Sequence, residues 1–407
     1  MTFQLPTSRA EAEALDRRDL LAAAARQFEL PNGVIYLVGH SLGPPTRTAK
    51  AKLAAAQATW SQDLVRSWNS AGWIDLAERT GDRIAALIGA GKGEVIVTDS
   101  VSVNLFKLAA AALPLARKYV LFVEEDEFPT DQYIVAGLGA LSSAEVRVLR
   151  PNETEAALSA GGVFIRSVVN YRSGEVADIA ALETEARRQG ALIIWDLSHA
   201  TGILDLTLGA SGALLATGCT YKYVNGGPGS PAFVYATRSI ASKLSSPLPG
   251  WMGHAAPFAF EGKYMPKDGV ARFASGTPPI LSLTALDGTL DVFEGEALPE
   301  LQAKARQLGA IAIARAKALG LDVLSPEDDT KRGGHVSLRI AEGYPVVQAL
   351  AARGVLTDFR APDTVRLGFS PLFLRYDQVW DAMDALADIL ATRSWDQPQF
   401  HARAKVT

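Results

Sequence analysis

Short apolar runs rich in valine and isoleucine recur through the first part of the chain. They are "VIYLV" (34–38), "EVIVT" (94–98), "YVLFV" (119–123), "VRVL" (146–149), "VFIRSVV" (163–169), "ALIIWD" (191–196), "ALLAT" (213–217) and "AFVYA" (232–236). Runs of this length and composition predict strands. Segments such as "VNLFKLAAAALPLARK" and "DIAALETEARRQG" lie between them, with helical spacing and charged ends. Strands that are apolar throughout and alternate with helices predict a mainly parallel sheet covered on both faces, an α/β fold. From about residue 290 the texture changes. Two long Ala/Leu helices, "LPELQAKARQLGAIAIARAKALG" and "QVWDAMDALADILATR", flank two short strands, "HVSLRI" and "TVRLGFS". That pattern predicts a smaller α+β domain, joined without a low-complexity linker.

Composition narrows the class. The chain has 407 residues, 48% hydrophobic and 21% charged, enough for a large core and against global disorder. The net charge is -4 with pI near 5.8, and no Lys/Arg block stands out, so neither nucleic acid nor an anionic membrane is an expected partner. The opening "MTFQLPTSRAEAEALDRRDL" carries charges where a signal peptide needs an apolar core, and "LAAAALPLA" is too short to span a membrane. A soluble, cytoplasmic protein is expected. The single cysteine, Cys219, allows no intrachain disulfide and no thiolate zinc cluster.

Candidate chemistry gathers around "IIWDLSHATG" and "GCTYKYVNGGPGSPAF" (218–233). Residues just past the carboxyl ends of parallel strands line the binding crevice of an open sheet. Asp196, with His199 after it, either caps the next turn or is a partly desolvated carboxylate that needs a cation. Lys222 stands between Tyr221 and Tyr223 and runs into a glycine-rich turn. It is either a lysine whose stem packs on a tyrosine with its head in water, or a desolvated amine able to attack a carbonyl. The glycine loop lacks the ending of a phosphate-binding P-loop. A better anion site is "TDSVSVNLFK", where Ser100 and Ser102 open a helix, although ordinary N-capping explains the serines equally well. A lysine for a Schiff base, an acid for a protonated ring nitrogen and a helix N-terminus for a phosphate together describe a pyridoxal 5'-phosphate site.

At this point the sequence resembles the kynureninase family over nearly its whole length. The resemblance rests on "GHSLG" (39–43), "RSWNSAGW" (66–73), "SVNLFK" (102–107), "FPTDQY" (128–133), "VNYRSG" (169–174), "WDLSHATG" (195–202) and "GCTYKYVNGGPGSPAFVY" (218–235). It continues through "GWMGH" (250–254), "SGTPPI" (275–280), "KRGGHVSL" (331–338) and "RLGFSPLF" (366–373). It implies the aspartate-aminotransferase fold (fold type I) of pyridoxal-phosphate enzymes. That means a large domain with a mainly parallel seven-stranded sheet (1–288, including an N-terminal segment) and a small C-terminal domain (289–407). It also implies a homodimer and hydrolysis of L-kynurenine, or its 3-hydroxy form, to the anthranilate and L-alanine.

Carried over residue by residue, the resemblance implies that Lys222 binds the cofactor covalently and moves protons, with Tyr221 beside it as a second catalytic group. Asp196 pairs with the ring nitrogen and His199 lies close. Val101, Ser102 and Tyr221 hold the phosphate, Phe128 stacks on the ring, and Asp131 and Ser167 lie alongside. Trp251 and Thr277 reach the cofactor from the second subunit. Arg366 clamps the substrate carboxylate, a task suited to a planar two-pronged donor. His40, Ser41, Trp68 and His254 fall at the aryl end of the substrate. Two positions depart from the family pattern: His40 replaces an Asn and Val168 a His. Neither is a lysine, aspartate or arginine of the chemistry, and His40 bears on how the ring is held. Competing functions are a cysteine desulfurase, which needs a mobile cysteine, an aminotransferase, and a non-catalytic protein that kept the fold.

Overall fold

A computed structural model describes residues 3–403, apart from the side chain of Asn152. The chain divides into two units. The larger is Thr48–Tyr171 with Ala177–Asp291; the smaller comprises the chain up to Arg47, Arg172–Val176 and the chain from Val292 onward. This differs from the expected division at 288/289, because the N-terminal segment groups with the C-terminal residues.

In the larger unit the strands are β1 (Val95–Val97), β2 (Val120–Glu124), β3 (Glu145–Leu149), β4 (Val163–Ser167), β5 (Leu192–Asp196), β6 (Leu215–Gly218) and β7 (Phe233–Ala236). They form one seven-stranded sheet in the order β1-β7-β6-β5-β4-β2-β3. β7 runs antiparallel to both its neighbours and every other pair is parallel. The expected mainly parallel sheet is present. All its strands except the edge strand β3 are mostly buried, which is why they read as continuous apolar runs.

Helices α1 (Leu76–Leu87), α2 (Val101–Ala112), α3 (Pro129–Ser142) and α4 (Ile179–Gln189) belong to this unit. α4 begins where the Asp178 carboxylate accepts from the Ala181 amide at 2.9 Å, and ends at Gly190 with φ of 67°. Those are the signals its sequence carries. Its Glu183 accepts a hydrogen bond from the fully buried Trp195 indole at 2.7 Å, anchoring the strand that ends in Asp196.

The smaller unit holds an antiparallel sheet of β8 (Asp322–Val323), β9 (His335–Arg339), β10 (Asp358–Arg360) and β11 (Thr364–Gly368), in the order β10-β11-β9-β8. Its long helices are α5 (Leu298–Ala318) and α6 (Tyr376–Thr392). The two predicted strands are the central pair of this sheet. The run "VIYLV" is corrected here. Only Ile35–Tyr36 forms a strand, and it pairs in parallel with Val355–Leu356, outside the seven-stranded sheet. An isolated apolar run does not say which strand it will meet.

Candidate active site

The parallel strands fix the floor of the site. Ser167, Asp196 and Thr217 are direct register partners at the ends of β4, β5 and β6, so their side chains emerge beside one another at the carboxyl edge. Just beyond β6 the chain turns through Tyr221 and Lys222. The turn is closed by the Asn225 amide donating to the Lys222 carbonyl at 2.8 Å. Gly226 is required here, since a Cβ would stand 2.5 Å from Ser230 Oγ. Lys222 Nζ lies 6.0 Å from the centre of the Tyr221 ring.

A cleft of about 170 Å³ lies at this edge. Val101, Ser102, Phe128, Asp131, Ser167, Asp196, His199, Tyr221 and Lys222 all line it, and every lining residue belongs to the larger unit. Sequence motifs as far apart as those of Val101 and Lys222 thus converge on one volume.

One wall is the start of α2. Ser100 caps it, its hydroxyl accepting from the Val103 amide at 3.4 Å. The capping reading of Ser100 therefore holds, and Ser100 also lines the cleft. The first-turn amides of Val101 and Ser102 have no acceptor within the helix, and the helix dipole adds partial positive charge there. Phe128 is 41% exposed and meets Tyr171 edge-on with ring centres 5.4 Å apart, leaving an aromatic face open to a flat ring.

The opposite pole is acidic. Asp196 is buried and accepts from the Ser198 amide at 2.7 Å. Burial raises its pKa, while Lys222 and Ser198 oppose the rise. Asp131 is 1% exposed, and among the described residues neither of its carboxylate oxygens has a hydrogen-bond partner. Burial, then the Asp196 and Glu127 charges, pushes it well above the usual carboxylate range, with Lys222 pulling the other way. Glu127 accepts from both the Ser167 amide (2.7 Å) and the Ser167 hydroxyl (2.5 Å), and burial pushes it up to about 7. A bound group that brings positive charge or a donor to Asp131 and Asp196 would satisfy what the chain leaves unsatisfied. A protonated pyridine nitrogen, a phosphate at α2 and a carbonyl at Lys222 fit this donor set. Tyr221 is held protonated, first by the neighbouring Cys219 and then by burial, so it is a hydroxyl donor at neutral pH.

The remaining expected residues lie elsewhere. Trp251 and His254 line a second cleft with Phe260 and Tyr264, and Thr277 lines a third with Thr98 and Asp99. His254 is buried, its ring accepting from the Ala256 amide at 3.0 Å. Trp68 meets Trp73 edge-on at 6.2 Å. In the smaller unit Ser41 is half-buried. His40 there is fully buried, with its ring stacked on His335 at 5.4 Å and Nε2 3.4 Å from Asp358. Arg366 is buried, and Asp358 accepts from its Nε at 2.8 Å and Nη2 at 2.5 Å, so the solvent-facing alternative for this arginine is removed. None of these seven residues lines the cleft around Lys222.

Sequence reasoning missed Glu127 and Asp358. Glu127 ends the run "EEDE" (124–127), which reads as solvated, and no pattern there marks its burial. Asp358 stands eight residues before Arg366, two-strand spacing that becomes informative only once β10 and β11 are known to pair in register.

Comparison with known proteins agrees with this geometry. Residues 301–386 match the model of the kynureninase C-terminal domain. Kynureninase of Pseudomonas fluorescens is 43% identical over 98% of this chain and 100% of its own length. Among solved structures, a cysteine desulfurase from Thermococcus onnurineus NA1 superposes with TM-score 0.78 at 15% identity, covering 96% of this chain and 99% of that one. A mutant of C-DES with glycine covalently linked to its PLP cofactor superposes with TM-score 0.77 at 16% identity, covering 89% and 98%. Those two likenesses speak to the fold alone. With the full-length identity to a curated relative and the convergence of the expected motifs on one cleft, the chain belongs to the kynureninase family.

Proposed function

We propose that the protein is a pyridoxal-phosphate-dependent kynureninase, hydrolysing L-kynurenine to anthranilate and L-alanine, and that it works as a cytoplasmic homodimer. The observation that carries the reading is the meeting of Lys222, Asp196, Tyr221 and the start of α2 in one cleft of a kynureninase-family chain. When bound, the cofactor supplies an electron sink that stabilises negative charge on the substrate carbons next to the amine.

The chain's own groups do the rest. Lys222 would hold the cofactor at its aldehyde carbon and would take, and later return, the substrate Cα proton. Asp196, kept close to Lys222 in a buried setting, would accept the ring N–H and keep that nitrogen protonated. Val101, Ser102 and Tyr221 would donate to the phosphate, and Phe128 would support the ring face. Arg366, its guanidinium fixed by Asp358, offers parallel donors to the substrate carboxylate. Trp251 and Thr277 act from the second subunit, Ser41, Trp68 and His254 serve the aryl end, and His40, fully buried against Asp358, bears on it only by holding that carboxylate. Water adds to the ketone carbon and the Cβ–Cγ bond breaks. The hydroxyl stays with the aryl carboxyl product, and Cβ gains a proton to become the methyl of alanine. Tyr221, which lines the cleft beside the start of α2, is the candidate acid–base group for the hydration step, acting with the cofactor phosphate.

A desulfurase reading fails on Cys219. It is buried, bonded to Ser198 and pushed up in pKa by burial, the opposite of a mobile nucleophile. The experiment is incubation of the cofactor-loaded protein with L-kynurenine and, separately, 3-hydroxykynurenine. Equal amounts of aryl acid and alanine are expected, and the two rates give the ring preference. Amino-group exchange dependent on a keto acid, without aryl acid, would contradict the proposal and indicate an aminotransferase.

A further inference from the structure

The residue just before the α2 cap is held in an unusual way. Asp99 has φ of 49°, a left-handed conformation uncommon outside glycine, asparagine and aspartate. It lets β1 hand directly to α2, so that the first helical residues face the cleft. Its backbone is pinned on the strand side, where its carbonyl accepts from the Ala232 amide at 2.8 Å. Its side chain is pinned twice more. Thr98 Oγ1 donates to Asp99 Oδ2 at 2.9 Å, and Lys107 Nζ donates to the same oxygen at 2.6 Å.

Lys107 is itself unusual. It lies two turns into α2 and its side chain is 0% exposed. Besides Asp99 it donates to the Phe273 carbonyl at 2.5 Å, with Ser275 Oγ at 3.5 Å. A fully buried ammonium is costly unless paired and hydrogen-bonded, and these acceptors supply both. Asn104 of the same helix donates to the Thr98 carbonyl at 2.8 Å. The helix thus reaches back from two of its own residues to clamp the turn that starts it.

From this geometry we infer that Asp99 and Lys107 are positioning residues for the cofactor phosphate. They lock the left-handed turn so that the Val101 and Ser102 amides converge, and Lys107 neutralises a carboxylate that would otherwise repel a dianion. Neither residue needs to touch the cofactor. The inference rests on the pyridoxal-phosphate reading and adds what holds the phosphate end in register.

The test compares dissociation constants of pyridoxal phosphate and pyridoxal, which differ only in the phosphate, by absorbance titration of the Lys222-linked form. The ratio of the two constants isolates the phosphate contribution, which a general loss of fold would not change selectively. Lys107→Met with Asp99→Asn keeps the charge balance and a residue type that tolerates left-handed φ, but removes the clamp. The double variant is expected to lose about tenfold in phosphate preference, the worth of one charge-assisted hydrogen bond. Lys107→Met alone loses more, because Asp99 is then left as a bare carboxylate. A folded double variant with wild-type preference overturns the inference while the cofactor reading stands. A wild-type protein that binds neither compound overturns both.

Discussion

Glu127 shows how a single residue can be invisible in sequence yet shaped by its site. Lys222 and Asp196 were legible because each follows an apolar run ending at the sheet's carboxyl edge. Glu127 was not legible, since charged neighbours hid its burial. Buried carboxylates also make a pH prediction. Glu183, bonded to the Trp195 indole, is pushed up to about 7 by burial. A raised folded-state pKa means the folded protein holds that proton more tightly than the unfolded chain. Its stabilising contribution is therefore complete below the unfolded value of 4.5 and is lost as pH rises through about 7. Glu183→Gln keeps an acceptor for the indole and removes the titration. Thermal melts should show the variant gaining on wild type by roughly 2–3 kcal/mol between pH 4 and pH 8. Parallel pH profiles for the two proteins would contradict this.

At the scale of elements, the strands of the main sheet other than the edge strand β3 were readable because burial on both faces leaves no polar alternation. The short strands β8 and β10 were not, since two or three residues carry no usable period. Close approach of backbone elements is also silent in a single sequence. Gly81 in α1 is an example, since a Cβ there would stand 2.3 Å from the Val95 carbonyl of β1. Gly81→Ala should force α1 away from the strand and cost about 1–3 kcal/mol despite alanine's better helix propensity. Chemical denaturation measures this directly, and an unchanged or raised stability would show that the helix can shift freely.

At the scale of the whole molecule, the grouping of the N-terminal segment with the C-terminal residues rests on pairs that sequence spacing does not announce. The Asp16 carboxylate accepts from the Tyr376 and Asp377 amides at 2.7 and 3.0 Å, capping α6 from 360 residues away. Lys304 of α5 donates to Asp19 and to the Pro371 carbonyl, both at 2.7 Å, with its side chain only 5% exposed. Lys304→Ala leaves Asp19 buried without its cation and should cost about 3–5 kcal/mol. Melting of the variant beside wild type checks this, and a loss below 1 kcal/mol would mean that water replaces the lysine cheaply. The family-level outline was legible for the opposite reason, since "FPTD", "GCTYKY" and "GWMGH" are local strings that survive without knowledge of contacts.

If Lys222 in this cleft drives kynurenine hydrolysis, anthranilate release by wild type and by Lys222→Ala, side by side with saturating pyridoxal phosphate, must differ. Loss of a nucleophile that also moves protons predicts at least a roughly thousandfold fall in rate, with the fold intact by circular dichroism. Anthranilate formed at similar rates by both proteins would contradict the account, and so would its absence from both.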